Sequence, residues 1–140
     1  MREGAQSAPD PWLEVDEFLA AGQREKATRY AAALRGREAQ TLRALVARQR
    51  ADDRASRAAL RNARTQRTAG RHALALATLE ETTARRGSIL GVRIAFARAL
   101  ALTAVQRYRS GARAFAAAAE GARALGWSSL EARALEERVA

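Results

Sequence analysis

The chain contains no cysteine among its 140 residues and only one histidine, His72. Disulfides and thiolate metal sites are therefore excluded, and so is a metal site built from several histidines. The prolines are confined to Pro9 and Pro11, and aromatic residues make up only 5% of the chain. Alanine, leucine and arginine dominate instead, and this mixture favours helix throughout and disfavours sheet.

Long apolar runs are also missing, since none approaches the roughly 20 residues that a helix needs to span a bilayer. The first 23 residues carry one arginine and five acidic residues, which is too acidic for a secretory or transit signal. We therefore expect a cytoplasmic protein with no membrane partner. The length suits one compact domain, so we expect a flexible N-terminal tail over residues 1–9 and a single helical domain over residues 10–140.

Charge is unevenly distributed along the chain, whose formal net charge is +10. Residues 24–71 alone hold fourteen basic and four acidic residues. A basic middle of this size would attract nucleic acid or an acidic protein. Arginine accounts for 24 of the 25 basic residues, and the bias of a GC-rich genome would produce the same excess without a functional demand. Both interpretations stay open at this point.

Turn and capping signals divide the chain into helices. Asp10 followed by Pro11 is typical of a helix start, while Gly36 and Gly126 are placed to end helices. Residues 37–69 form either one helix or two helices with a break near Asp52, and we favour the break. The other expected helices cover residues 11–21, 23–35, 71–86, 89–107, 110–125 and 128–140. Because helices joined by short turns lie antiparallel, we expect an all-α stack of antiparallel hairpins with about six or seven helices.

One local pattern occurs three times along the chain. A turn position is followed five residues later by a small residue inside the next helix, which allows the backbones of two crossing helices to approach closely. The pattern predicts three helical hairpins with their small residues at the crossings. The turn positions and their small residues are Gly22 with Ala27, Gly70 with Ala75, and Gln106 with Gly111.

This pattern resembles the tetratricopeptide (TPR) family of helical hairpin repeats over about residues 11–125. Leu79 and Phe115 strengthen the resemblance, since each lies four residues beyond a small position, where that family tends to place a large side chain. The turns here lie 48 and 36 residues apart instead of about 34, and most of the family's Trp, Tyr and Pro positions are unfilled. The resemblance implies a TPR-like α-solenoid that acts as a protein-interaction scaffold. The final stretch, ARALGWSSLEARALEERVA, looks like the tail of helical-repeat arms in large bacterial regulators and kinases.

An arginine series is the sharpest candidate binding feature. No acidic residue occurs between Asp53 and Glu80 to neutralise it. On one helix face, such a series would bind the phosphates of a nucleic acid or the carboxylates of an acidic partner. The alternative is that the arginines are only solvated, as many charged helix faces are. Five members recur every seven residues, and two more lie three or four residues from them. They are Arg43, Arg50, Arg57, Arg64 and Arg71, with Arg54 and Arg61 between them.

Catalytic motifs are not evident in the sequence. His72 has no nucleophile or acid at a recognisable spacing, and the isolated glycines form no phosphate-binding loop. We therefore expect no enzyme, no cofactor and no metal. The large aromatic residues Trp12, Trp127, Tyr30 and Tyr108 are expected in the core or at hairpin contacts.

The leading functional hypothesis is a scaffold or adaptor that binds an acidic protein or peptide. The alternatives are a nucleic-acid-binding protein and a regulatory arm of a larger bacterial signalling or transcription protein.

Overall fold

The computed structural model describes residues 10–48, 54–82 and 87–139, and these residues are all-α. Helices take up 84% of them, and none of them lies in a strand. The eight helices are α1 (Pro11–Ala20), α2 (Arg24–Ala33), α3 (Arg37–Arg48), α4 (Arg54–Thr68), α5 (His72–Glu80), α6 (Ile89–Ala104), α7 (Tyr108–Leu125) and α8 (Ser128–Val139).

The all-α prediction is confirmed, but the described residues hold eight helices and not six or seven. The expected count was too low, because the six other expected helices and the two that the favoured break gives in residues 37–69 already make eight, α3 and α4 among them. The expected break near Asp52 falls within residues 49–53, outside the described residues, and so does the expected tail over residues 1–9. Among the described residues, α5 ends at Glu80 and α6 ends at Ala104, both short of the expected ends.

The three predicted turns share one backbone geometry. Gly22, Gly70 and Gln106 all have positive φ angles, of 74°, 80° and 67° respectively. Gln106 adopts this left-handed conformation although a side chain there costs about 1–2 kcal/mol. The next residue of each turn donates its amide to a carbonyl five residues earlier, as in a Schellman motif. These hydrogen bonds are Gln23–Phe18 (2.8 Å), Arg71–Gln66 (2.8 Å) and Arg107–Leu102 (2.9 Å).

The helices group into two compact units, divided between Arg48 and Gln49. The prediction of one domain over residues 10–140 stays a prediction. In the N-terminal unit, α2 packs against both α1 and α3. The Trp12 indole is buried and donates from Nε1 to Glu38 Oε1 at 2.8 Å, which joins the starts of α1 and α3. The rings of Phe18 and Tyr30, 5.8 Å apart, pack α1 against α2.

The C-terminal unit is organised around α6, which packs against α4, α5 and α7. This helix is apolar on most of its circumference, and a helix of that kind is buried among others. The Phe96 ring meets Phe115 edge-on with centroids 5.5 Å apart, and the guanidinium of Arg133 lies 5.0 Å from the Phe96 centroid. The last helix, α8, packs on α7. An apolar cluster joins α4, α5 and α6, with Leu76, Leu79, Leu90, Ile94 and Leu102 as its largest members.

The small residues of the three hairpins are buried, as expected. Ala27 and Ala75 are 0% and 1% exposed. Gly111 lies at the crossing of α6 and α7, where an added Cβ atom would be 2.6 Å from Thr103 Oγ1 and 3.6 Å from the Ala99 carbonyl oxygen. The crossing of α6 and α7 therefore requires glycine, unless Thr103 moves.

The predicted burial of the aromatic residues is confirmed for Trp12 and Trp127, which are 2% and 0% exposed. Tyr30 is half-buried against Phe18. The prediction for Tyr108 is wrong, because 62% of this residue is exposed. Tyr108 is the first residue of α7 and precedes the crossing with α6, so no neighbouring helix covers it.

Candidate functional site

Helix α4 carries five arginines and no acidic residue. Because each residue advances about 100° around a helix, four of these arginines fall within an arc of about 80°. Arg67 lies outside the arc, towards the packed side, and is half-buried. We call the four residues the arginine arc. They are Arg54, Arg57, Arg61 and Arg64.

The arc is the outer side of an amphipathic helix. Ala63, on the opposite side, is 4% exposed, and Leu60 packs against the apolar cluster of the C-terminal unit. Arg54, Arg61 and Arg64 are exposed, while Arg57 is half-buried. The burial of alanine and leucine against α5 and α6 therefore orients the arginines away from the packed side of α4.

Neighbouring polar groups on α4 are satisfied within the helix itself. The Thr65 hydroxyl donates to the Arg61 carbonyl oxygen at 3.2 Å, and the Thr68 hydroxyl donates to the Arg64 carbonyl oxygen at 2.9 Å. Both hydroxyls therefore have acceptors within α4. The charged groups of the arc are the guanidinium groups of its arginines. The arc therefore concentrates four positive charges over about 15 Å of helix.

The other arginines of the predicted series lie elsewhere, so the series does not form one stripe on a single helix. Arg43 is on α3, where its Nε donates to the Ala31 carbonyl oxygen at 3.0 Å and its Nη2 to that of Leu34 at 2.7 Å. It thus caps the C-terminal end of α2, and we leave it out of the candidate site. Arg71 is exposed in the turn between α4 and α5, beyond the arc. Arg50 lies outside the described residues.

Two further arginines cap helix ends in the same way as Arg43. Arg24 Nη2 donates to the carbonyl oxygens of Val46 and Ala47 near the end of α3, at 3.2 and 3.3 Å. Arg98 Nη2 donates to the Leu79 carbonyl oxygen near the end of α5, at 3.0 Å. Such contacts place a positive charge at the C-terminal end of a helix, where cations interact favourably with the last carbonyl groups. Part of the arginine excess therefore stabilises the fold.

His72 is half-buried at the first residue of α5, and its Nδ1 atom is buried without a hydrogen-bond partner among the described residues. Asp16, a residue that sequence analysis did not single out, is 1% exposed in α1. Burial, followed by the charges of Glu14 and Asp10, raises the pKa of Tyr30 above its usual 10.0. Within residues 10–48, 54–82 and 87–139, no cluster of three His, Asp or Glu side chains is arranged to hold a metal ion.

A shallow depression of about 380 Å³ lies on α2. Its lining combines acidic, basic and neutral side chains, so it favours neither sign of charge. The Arg24 guanidinium also bonds to the end of α3. The depression is therefore a weaker candidate site than the arginine arc. Its lining residues are Arg24, Glu25, Thr28 and Arg29.

Comparisons with known proteins give no match to this chain among protein-family models, curated proteins or solved structures. The TPR-like solenoid remains a prediction that rests on the three turns and their small residues. None of the helices in the described part of the chain is both long and apolar enough to cross a membrane.

Proposed function

We propose that this protein is a helical-hairpin interaction module that binds an acidic protein segment through the arginine arc of α4. The observation that carries the proposal is the composition of that helix. Its arc presents four arginines, and the helix has no acidic residue of its own. Its opposite side is occupied by packing against α5 and α6.

The hairpins support the interaction role. The three turn residues have similar positive φ angles, and the small residues after them are buried. Repeated hairpins of this kind stack in TPR-like solenoids, whose exposed helix faces serve as binding surfaces. In this chain the exposed face of α4 is the one that carries the arc.

Guanidinium chemistry favours carboxylates as the partner groups. Arginine presents planar donors that match a carboxylate with two parallel hydrogen bonds. A single exposed ion pair contributes only about 0.2–1 kcal/mol, so recognition requires several pairs at once. Four pairs together contribute about 0.8–4 kcal/mol, which does not exceed the cost of association of at least about 4 kcal/mol. The arc alone therefore gives weak, salt-sensitive binding, with dissociation constants no tighter than millimolar.

Nucleic acid is the second candidate, and the net charge of +10 favours it. If the arc neutralised four phosphates of duplex DNA, the logarithm of affinity would fall with the logarithm of salt concentration with a slope of roughly −3.6. Single strands are disfavoured, since no aromatic residue lies between Tyr30 and Phe96 to stack on bases. The regulatory-arm hypothesis is compatible with either partner.

Fluorescence anisotropy with two labelled probes, a glutamate-rich peptide and a duplex DNA, tests the proposal. One variant replaces the four arginines of the arc with Gln. A matched control makes four Arg→Gln changes at exposed positions of the same unit, and therefore removes the same charge. We expect the arc variant to lose at least about tenfold in peptide affinity, and the control to lose less than about threefold. The control positions are Arg107, Arg109, Arg113 and Arg123.

Two outcomes would refute the proposal. Equal losses in both variants would show attraction by net charge alone, and an absence of peptide binding at low salt would leave the arc without an acidic partner. Tighter, arc-dependent binding of the duplex, with the slope given above, would replace the proposal with the nucleic-acid alternative.

A further inference from the structure

We infer that the acidic segment recognised by the arc is an α-helix whose carboxylates recur at intervals of three, four and three residues. This inference rests on the proposed function and concerns the shape of the partner. It follows from the spacing of the arc itself, because Arg54, Arg57, Arg61 and Arg64 are separated by three, four and three residues.

The spacing fixes the distances between the charges. With a rise of about 1.5 Å per residue, the arc extends about 15 Å and places one arginine about every 5 Å along the axis. A partner helix with glutamates at the same intervals has the same axial repeat, and it also keeps them within about 80° of one face. The exposed Arg54, Arg61 and Arg64 can then pair with carboxylates in one register, with the half-buried Arg57 between them.

An extended segment does not match this repeat. Residues on one face of a strand recur about every 6.7 Å, so three intervals extend about 20 Å. With the extended chain centred on the arc, each outer carboxylate would lie about 2.5 Å beyond the outer arginine, so the outer side chains would have to bend along the axis to reach it. An extended acidic chain therefore matches the arc less closely than a helix does.

On the helical projection, Ala58 and Thr65 border the arginines on one side and Thr68 lies among them. Leu60 borders them on the other side, where it packs against the apolar cluster. Both threonine hydroxyls donate within α4, so neither needs an acceptor from the partner.

Three synthetic peptides of about 18 residues test the inference, each with four glutamates in the same alanine- and glutamine-rich background. The first has glutamates at intervals of three, four and three residues. The second has the same composition with glutamates spaced five apart, which spreads them around the helix. The third is the first peptide with a central proline that breaks the helix. Circular dichroism establishes the helix content of each peptide.

We expect the first peptide to bind the intact protein about tenfold more tightly than the second or third. The preference should disappear in the variant with the four arc arginines replaced by Gln, and it should persist in the control variant changed at α7 and its N-cap. Equal binding of all three peptides, lost in the arc variant, would overturn the inference while leaving the proposed function intact. If none of the peptides binds at low salt, both fail.

Discussion

Replacing Gly111 with Ala should destabilise the C-terminal unit, although alanine is the better helix former. The added Cβ atom would lie 2.6 Å from Thr103 Oγ1, a separation that real structures do not tolerate. The Thr103 hydroxyl also donates to the Ala99 carbonyl oxygen at 3.0 Å, so it cannot rotate away without losing that hydrogen bond. The higher helix propensity of alanine and the clash with Thr103 therefore act in opposite directions on stability.

The sizes of these contributions decide whether Gly111→Ala raises or lowers the free energy of unfolding. Alanine gains about 1 kcal/mol over glycine inside a helix. If Thr103 rotates away, the lost hydrogen bond costs about 0.5–1.5 kcal/mol, and if it stays in place, the overpacked crossing costs about 1–3 kcal/mol. The net expectation for Gly111→Ala is a loss of about 1 kcal/mol in the free energy of unfolding.

A double-mutant cycle with Thr103→Ala tests the cause. Once the hydroxyl is removed, the nearest atom to the new Cβ is the backbone nitrogen of residue 103 at 3.4 Å, an ordinary contact. In that background Gly111→Ala should stabilise the protein by about 0.5–1 kcal/mol, which gives a coupling of about 2 kcal/mol. Gly121→Ala, in the same helix, is the matched control, because its Cβ would meet only Val92 Cγ2 at 3.3 Å.

Urea denaturation followed by the fluorescence of buried Trp127 measures the cycle, in a Trp12→Phe background that removes the other indole. The sign of the Gly111→Ala effect should reverse between the two backgrounds. Destabilisation of the same size in both backgrounds would refute the argument, because the clash would then not involve the threonine hydroxyl.

Three further predictions concern other parts of the chain. Arg43→Gln should lower the free energy of unfolding by about 1 kcal/mol in urea denaturation, since two hydrogen bonds to the end of α2 are lost, whereas Arg37→Gln should change it little. Ala75→Leu should cost about 1–3 kcal/mol in the same assay, because residue 75 is 1% exposed, and an unchanged midpoint would contradict the hairpin register. In a Tyr108→Phe variant, ultraviolet absorbance should give Tyr30 a pKa above 10.0, because burial first and then nearby carboxylates disfavour the phenolate. Since that pKa is raised in the folded state, its contribution to stability is present below pH 10 and is lost as the pH rises through the folded-state pKa, and titration at or below 10.0 would contradict the prediction.

Local sequence patterns predicted the hairpin turns well. Gly22 and Gly70 are natural left-handed residues, and the spacing to the next small residue identified even Gln106 as an equivalent turn. The burial of Ala27 followed from the same spacing. These features depend on residues within about five positions of one another, where backbone geometry restricts the outcome strongly.

Long-range contacts could not be predicted in the same way. Nothing in the local sequence distinguishes Arg43, which caps a neighbouring helix, from Arg61, which faces solvent. The carbonyl group at Ala31 is 12 residues away in the chain, so the contact exists only once α2 and α3 have packed. For the same reason the seven-residue arginine interval was misleading, since it counted positions on α3 and α4 as one face. The exposure of Tyr108 likewise depends on where α6 crosses α7.

Reversing the charges of the arginine arc tests the central claim most directly. A variant with its four arginines changed to Glu should remain helical, because Glu is a comparable helix former, and circular dichroism checks this. This variant should no longer bind the peptide whose glutamates are spaced at three, four and three residues. It should instead bind a peptide with lysines at the same positions. The intact protein should bind the glutamate peptide at least about tenfold more tightly than the lysine peptide. The charge-reversed variant should prefer the lysine peptide by at least about tenfold. A folded variant that still prefers the glutamate peptide would contradict the account.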